Sequence, residues 1–239
     1  MSNNFFRFKQ FIVRQDRCAM KVGVDGVLIG AWAGEQLDDP LRILDVGAGT
    51  GLIALMMAQR FENALIDAVE IDEEACNQAK ENILESPFKG RIDVYCESIT
   101  NFKPDYRYDL IVSNPPYFRQ SLKCPDNKRT AARHDDSLPL PVLIEYSRKS
   151  LSINGLISLI IPTELHESIK GIAEANSLCI SRQMDVITVE GNQPKRIMLE
   201  LSHQNGELLC ADNVRSLTLE TKDHIKTSQY QELTKHFYL

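Results

Sequence analysis

Apolar positions along this 239-residue chain fall into two alternating patterns, short continuous runs and longer segments with helical spacing. Short apolar runs bounded by polar residues are typical of buried strands, and apolar residues three and four apart are typical of helices that cover a sheet. Alternation at this spacing predicts βαβ units and a parallel sheet. The pattern predicts strands at 41–46, 65–71, 91–96, 108–113 and 156–161, and helices at 51–61, 73–85, 138–151 and 164–175.

The two ends of the chain depart from this alternation. Residues 180–189 and 195–201 have the pattern of two strands, and the turn-like sequence between them predicts an antiparallel hairpin. Residues 26–34 are apolar enough for a helix that lies over a ligand, and 216–220 is a candidate short strand in a polar tail. We therefore predict an α/β, Rossmann-like fold with a mostly parallel seven-stranded sheet and a terminal antiparallel hairpin.

Composition favours one domain. A chain of this length with 43% hydrophobic residues can bury one sizeable core, so we predict a single domain over 1–239. Within it we distinguish an N-terminal cap at 1–40, a core with the candidate chemistry at 41–202 and a C-terminal extension at 203–239.

Cysteine usage and the apolar runs bear on the compartment. The six cysteines are scattered without a C-x-x-C pair, which favours a reducing compartment over disulfides or a zinc site. The N-terminus lacks an apolar signal core, and the longest apolar run, 156–161, is too short to cross a bilayer. We expect a cytoplasmic protein without bound metal or membrane contact, and the monomer is the favoured oligomeric state.

A glycine-rich loop separates the first predicted strand from the first long helix. Gly47, Gly49 and Gly51 form a G-x-G-x-G pattern, in which glycine allows positive φ and a close approach of the backbone to a ligand. The pattern differs from the G-x-G-x-x-G of dinucleotide enzymes, because Leu52 occupies the place of the third glycine. Asp45, just ahead of the loop, is unfavourable for a pyrophosphate and favourable for a cationic ligand.

Two further acids follow the next strands. Glu70 lies at the end of its predicted strand, where a carboxylate can accept both ribose hydroxyls of a nucleoside, and Glu97 follows the strand at 91–96. Each acid alone is typical of an ordinary loop residue or a helix cap. Because parallel strands place their carboxyl ends at one edge of the sheet, the acids and the glycine loop together predict a nucleoside site.

The tetrapeptide Asn-Pro-Pro-Tyr at 114–117 follows the strand at 108–113. Two prolines cannot continue a central strand, so Pro115 and Pro116 predict a stiff corner. The Asn114 side-chain oxygen and the Pro115 carbonyl can both accept hydrogen bonds from one exocyclic NH2, while Tyr117 stacks on the ring that carries it. Beside a nucleoside site, this corner predicts chemistry on a planar amino or amide group.

Together these motifs resemble those of the class I S-adenosylmethionine-dependent methyltransferases that act on amino groups. The segments 8–11, 20–32 and 230–239, and the pair Arg133-His134, are similar to those of the bacterial tRNA adenine-N6 methyltransferases. That family modifies valine tRNA at the adenine immediately 3′ of the anticodon, position 37. Val24 departs from the family pattern, in which threonine is expected.

The resemblance implies S-adenosylmethionine as the cofactor, N6-methylation of a tRNA adenine as the reaction, and the corner at 114–117 as the catalytic element. The implied cofactor contacts come from the segment 20–32, from the glycine loop with Asp45 ahead of it, and from the residues that follow the strands at 65–71, 91–96 and 108–113 or end them. They are Lys21, Asp25, Asp45, Gly47, Ala48, Gly49, Gly51, Glu70, Ile71, Glu97, Ser98 and Asn114.

The net charge of −6 is unusual for a nucleic-acid enzyme, but the positive charge is concentrated in two segments. Residues 1–24 and 117–134 each carry five lysines and arginines against one aspartate, and both flank the predicted site. Because charges are screened beyond about 8–10 Å at cellular salt, a local basic segment can bind phosphates on an acidic protein. We predict that the second segment binds tRNA through Arg119, Lys123, Lys128, Arg129, Arg133 and His134.

Local motifs leave other functions open. Glutamine methyltransferases of release factors carry the same N-P-P-Y corner, because a side-chain amide presents the same NH2, but they need an N-terminal recruiting domain longer than the 40 residues here. Amino groups of DNA adenine or ribosomal RNA are also compatible. A non-catalytic nucleoside-binding module or assembly factor is a different class of function, and it would not need an intact N-P-P-Y corner.

Overall fold

The computed structural model describes residues 4–18, 20–116, 138–204, 206 and 214–239. The strands are β1 Phe5–Arg7, β2 Ile12–Arg14, β3 Arg42–Val46, β4 Leu65–Glu70, β5 Ile92–Cys96, β6 Tyr108–Ser113, β7 Leu151–Pro162, β8 Leu178–Val189, β9 Arg196–His203 and β10 Val214–Glu220. Strands β3 to β10 form one sheet in the order β10-β8-β9-β7-β6-β3-β4-β5, and β1 pairs with β2 in a separate hairpin.

The helices of the described residues cover this sheet on both faces. They are α1 Val24–Trp32, α2 Leu52–Arg60, α3 Glu73–Leu84, α4 Leu140–Ser150, α5 His166–Ala175 and α6 Ser228–Thr234, with a 3₁₀ turn at Thr163–Leu165 before α5. One core cluster lies on the face of α1 and α2 and includes Val27, Leu55 and Met56. The other lies on the face of α4 and α5 and includes Ile144 and Ile169. The result is a three-layer α/β architecture.

The direction of the strands confirms the predicted fold class. Strand β9 runs antiparallel to its neighbours β7 and β8, and the other pairs in the sheet are parallel. The predicted number of strands, seven, is wrong by one, because β10 adds to the edge of the sheet beside β8. The candidate strand at 216–220 is the carboxyl-terminal part of β10.

The two ends of the chain pack against each other. The Lys9 amide donates to the Phe237 carbonyl at 2.8 Å, and the rings of Phe8 and Tyr238 stack with their centroids 6.0 Å apart. Phe8 and Phe237 are both 2% exposed, so the N-terminal hairpin and the C-terminal residues share the core of α1 and α2.

The expectation that the cysteines are reduced is wrong for Cys76 and Cys96. They form a disulfide with a Cα–Cα distance of 5.7 Å, which joins α3 to the end of β5. Cys179 is disulfide-bonded as well, and Cys18 is a free thiol. The twenty-residue separation of Cys76 and Cys96 has no pattern of its own in the sequence, because only the packing of α3 on β5 brings them together.

Within the described ranges, every helix is too short or too polar to span a bilayer.

Candidate active site

Three neighbouring strands end at the same level and define the site. In the register of the sheet, Val46 of β3 lies beside Val69 of β4 and Ser113 of β6. The Ser113 hydroxyl donates to the Val46 carbonyl at 2.8 Å and so links two of these strand ends. The glycine loop, the acid at the end of β4 and the corner after β6 therefore begin side by side, as predicted from the parallel sheet.

The glycine loop is open on one side and tightly packed on the other. Gly47 and Gly49 have φ angles of 73° and 54°, and a Cβ added at either would meet nothing within 4 Å. A Cβ at Gly51, where φ is 77°, would lie 3.3 Å from the Cβ of Ala79 on α3. Buried Ala48 follows Gly47, and both amides donate to the Val69 carbonyl, which fixes the loop over the end of β4. The open side offers backbone to a ligand.

Asp45 lies beneath this loop. It is 0% exposed, and its Oδ2 accepts a hydrogen bond of 3.0 Å from the Ala54 amide in the first turn of α2. This contact caps α2, whose preceding residue is glycine and has no capping side chain. The Oδ1 is buried without a hydrogen-bond partner among the described residues. Burial raises the pKa of Asp45 to about 7, so a nearby positive charge would favour its ionised form.

Glu70 is fixed by two backbone amides at the end of β4. Its Oε2 accepts from the Gly49 amide at 2.8 Å, and its Oε1 accepts from the Asp72 amide at 2.9 Å. The side chain is half-buried, and each carboxylate oxygen has a second lone pair for a further donor. Ile71 follows and is 56% exposed, which places an apolar surface next to this carboxylate.

Glu97 and Ser98 directly follow β5, the strand next to β4 at the edge of the sheet, and both are half-buried. The Ser98 hydroxyl lies 2.9 Å from the hydroxyl of Thr100, and the Ser98 carbonyl accepts from the Asn101 amide at 2.9 Å. This turn holds the residues after β5 beside the end of β4, because Cys96 pairs with Glu70 in the register of the sheet.

Asn114, Pro115 and Pro116 leave β6 beside the glycine loop. Asn114 and Pro116 are half-buried, and Pro115 is buried. Tyr117 and all six residues predicted to bind tRNA, Arg119, Lys123, Lys128, Arg129, Arg133 and His134, lie outside the described residues.

The segment 20–32 lies at the same edge of the sheet. Asp25, in the first turn of α1, forms an ion pair with Arg196, whose Nε lies 2.9 Å from the carboxylate. Arg196 begins β9 opposite Pro162, where β7 ends. Lys21 is exposed nearby in the chain. Asp25 is therefore engaged by an arginine, a partner that was not expected from the sequence.

Two buried amides near the loop were missed in the sequence. Gln78 and Asn82 are both 0% exposed on α3, and Asn82 donates to the Thr50 carbonyl within the glycine loop at 2.9 Å. They lie four residues apart on the buried face of the helix, which also carries Ala79 and Ile83. Polar amides on an apolar helix face were the available signal, since buried polar groups need partners.

The site is lined by carboxylates, which suit a positively charged nucleoside. Three strand ends supply Asp45, Glu70 and Glu97, and the loop between them presents open backbone. These carboxylates would repel a pyrophosphate, whereas they attract a positive charge. Among the described residues, no cluster of three histidine, cysteine or acidic side chains could hold a metal ion.

Solved structures share this fold at low sequence identity. A predicted O-methyltransferase from Agrobacterium tumefaciens superposes with a TM-score of 0.61 and 19% identity, covering 89% of this chain and 96% of the other. A ribosomal protein L11 methylase from Lactobacillus delbrueckii subsp. bulgaricus superposes with a TM-score of 0.54 and 21% identity, covering 75% and 77%. These likenesses concern the fold.

Comparison with related sequences identifies the family as well as the fold. The family model of the Methyltransferase small domain matches residues 35–167. A protein of Parabacteroides distasonis, named tRNA1(Val) (adenine(37)-N6)-methyltransferase, is 50% identical over 100% of this chain and 99% of its own length. Proteins of the same name from Flavobacterium psychrophilum and Pectobacterium carotovorum are 43% and 42% identical, each over 98% of this chain and over 99% and 93% of their own lengths. The chain therefore belongs to the Methyltransferase small domain family and, within it, to the family of the tRNA1(Val) (adenine(37)-N6)-methyltransferases.

Proposed function

We propose that this protein transfers a methyl group from S-adenosylmethionine to N6 of adenine 37 in a valine tRNA. The observation that carries the proposal is the position of Asn114 and Pro115, which leave β6 at the same level as the glycine loop leaves β3. An acceptor corner for an NH2 group then adjoins an acidic nucleoside site, in a chain that matches relatives of this name over its full length. We also propose that the protein acts in the cytoplasm, where tRNA is modified.

The residues around the glycine loop fit the cofactor, which supplies a methyl group on a positively charged sulfur. Gly47 and Gly49 would present backbone to it, Glu70 would accept from the ribose hydroxyls, and Ile71 and Ser98 would border the adenine. Asp45 would not contact the cofactor directly, because its carboxylate is buried beneath the glycine loop. At that longer range it offsets the charge of the sulfonium.

The Asn114 corner would prepare the acceptor amine. The lone pair of an adenine amino group is delocalised into the ring, which makes the nitrogen a poor nucleophile. Hydrogen bonds from both amine hydrogens, one to the Asn114 oxygen and one to the Pro115 carbonyl, favour a tetrahedral nitrogen with its lone pair directed at the methyl carbon. This is catalysis by positioning, at a near-attack distance of about 3–3.5 Å.

Neither a strong base nor a metal is needed for this step. The amine becomes an acidic ammonium after transfer, and it can lose its proton to water. The adenine must leave its stack to reach the corner, which costs a few kcal/mol and costs least in a loop. Tyr117 is the side chain we assign to stack on the extruded base.

Part of the positive charge of the N-terminal basic segment is paired within the protein. In this segment, Arg17 pairs with Glu81 of α3, and Arg14 pairs at 3.0 Å with Glu85, the residue that follows α3. These carboxylates offset part of the positive charge that the sequence concentrates there. The segment 117–134, next to the acceptor corner, is therefore our first candidate for the tRNA contact.

Replacing Lys128, Arg129 and Arg133 together with alanine is expected to weaken tRNA binding and to reduce its salt dependence. Each lost phosphate contact should lower the slope of log affinity against log salt by about 0.7–0.9, so the slope should fall by about two to three units. Affinity for the cofactor should not change. Filter binding at several salt concentrations measures the slope, and the triple alanine variant of Lys80, Lys89 and Lys103 is the matched control. An unchanged slope in the first variant would mean that this segment does not bind phosphates.

The raised pKa of Asp45 predicts how cofactor affinity depends on pH. Without ligand, the buried carboxyl is mostly protonated below pH 7 and ionised above it. A sulfonium favours the ionised form, so affinity for S-adenosylmethionine should rise by up to about tenfold between about pH 6 and pH 8. S-adenosylhomocysteine has the same amino and carboxyl groups but a neutral sulfur, and its affinity should rise less. Calorimetry with both ligands checks this, and identical pH profiles would remove Asp45 from charge recognition.

The modification itself can be tested in cells. Valine tRNA is isolated from a strain that lacks the gene and from the same strain with the gene restored, and its nucleosides are separated by mass. We expect N6-methyladenosine to be absent from the first sample and present in the second. Its presence in both samples would contradict the proposal.

A further inference from the structure

One buried side chain fastens the N-terminal segment to the glycine loop. Asn82 on α3 is 0% exposed, and its Oδ1 accepts a hydrogen bond of 2.9 Å from the Arg14 amide. Its Nδ2 donates to the Arg14 carbonyl and to the Thr50 carbonyl, each at 2.9 Å. Thr50 lies between two glycines of the loop, so one carboxamide joins two backbone segments that are otherwise distant in the chain.

Further side chains of α3 hold the same segment. Gln78 is 0% exposed, and its Oε1 accepts from the Arg17 amide at 3.2 Å. Glu81 and Glu85 pair with Arg17 and Arg14 at the surface. Gln78 and Asn82 are four residues apart, as are Glu81 and Glu85, and Glu85 is the cap residue directly after α3. One side of α3 and its cap residue therefore bind Arg14 and Arg17 through both backbone and side chains.

The segment then continues to the acids of the site. Cys18 is half-buried, and its pKa is raised to about 11 by burial and by the nearby carboxylates of Glu70 and Asp72. Glu70 in turn accepts from the Gly49 amide. Residues 14–18 therefore run from the Thr50 side of the loop to the carboxylate assigned to the ribose.

We infer that residues 14–18 form one wall of the cofactor site, and that Asn82 is the positioning residue that holds this wall against the glycine loop. The inference rests on the proposed function, because it concerns the same cofactor. Asn82 acts through the Arg14 and Thr50 backbone and makes no contact with the reacting groups. Its loss should therefore change cofactor affinity and leave methyl transfer largely intact once cofactor is saturating.

The variant Asn82→Ala tests this split. We expect the Kd for S-adenosylmethionine and for S-adenosylhomocysteine to rise about tenfold or more, since three hydrogen bonds of a buried side chain are lost. The kcat at saturating cofactor and tRNA should stay within about threefold of the wild-type value. Asn63→Ala is the matched control, because it makes the same substitution at an exposed asparagine that bonds to Asp39 away from the wall, and its Kd should be unchanged. A wild-type Kd in Asn82→Ala would overturn the inference.

A second measurement uses the wild-type protein and decides the matter even if Asn82→Ala does not fold. Trypsin cleaves after Arg17 within the wall and after Lys222, which is exposed near the end of β10. S-adenosylhomocysteine should slow cleavage after Arg17, with a half-maximal effect at its calorimetric Kd, and should leave cleavage after Lys222 unchanged. If the ligand slows neither cleavage or slows both equally, the wall does not belong to the cofactor site.

The two proposals can fail separately. If the wild-type protein binds the cofactor but methylates no tRNA, the proposed function fails and the assignment of the wall stands. Suppose instead that the wild-type protein methylates tRNA, that Asn82→Ala keeps the wild-type Kd, and that the ligand does not selectively slow cleavage after Arg17. The assignment of the wall then fails alone.

Discussion

Replacing Asn114 with alanine is expected to abolish measurable methyl transfer while cofactor affinity falls little. The side-chain oxygen of Asn114 is assigned to the acceptor amine, and misplacing a reacting group by about 1 Å can cost a hundredfold in rate. We therefore expect a loss of at least about a hundredfold in kcat. Transfer of a tritiated methyl group measures the rate, and calorimetry measures the affinity.

The matched control for this variant is Asn63→Ala. Asn63 is an exposed asparagine between α2 and β4, where its Nδ2 donates to Asp39 at 2.9 Å, at the edge of the sheet opposite the site. Its removal should leave both kcat and cofactor affinity unchanged. If Asn114→Ala keeps most of the wild-type rate, Asn114 has no part in the reaction.

Replacing Glu70 with alanine should give the opposite phenotype. The carboxylate is assigned to the ribose hydroxyls, and it also fixes the Gly49 amide of the loop at 2.8 Å. Hydrogen bonds to a charged group contribute about 1.5–3 kcal/mol, so the Kd for the cofactor should rise by about 10- to 150-fold. Saturating cofactor should then restore much of the rate, because Glu70 is not assigned to the transfer itself.

Glu73→Ala separates this effect from a general loss of negative charge. Glu73 is an exposed acid in the first turn of α3, three residues from Glu70, and its removal should leave the Kd within about twofold of the wild-type value. The free energy of unfolding of both variants shows whether the fold is intact. A Glu70→Ala protein with wild-type cofactor affinity would make the ribose assignment wrong.

The central elements of the fold were predictable from the sequence because their apolar patterns are long and regular. Strand β6 was predicted with the observed bounds, and α2 and α3 within one residue at each end. The β1–β2 hairpin was not predicted, since three-residue strands are too short to show alternation. The seven-residue helix α6 was missed for a similar reason, because it lies in a polar tail and buries only Tyr230 and Thr234.

The site was predictable as far as it depends on the ends of parallel strands. Sequence order alone brings the glycine loop, Glu70 and Asn114 to one edge of the sheet, as the structure has them. Contacts between elements distant in the chain were not predictable. The Asp25–Arg196 ion pair and the Asn82–Thr50 hydrogen bond depend on how α1 and α3 pack on the sheet, and no local pattern encodes that packing.

The most direct test of the proposed reaction uses the purified protein and two valine tRNA transcripts, one with adenine at position 37 and one with guanine there. Both are incubated with labelled S-adenosylmethionine, digested to nucleosides and analysed by mass. We predict N6-methyladenosine in the first transcript and no methylated nucleoside in the second. Equal methylation of both transcripts, or no N6-methyladenosine in the first, would contradict the proposed function.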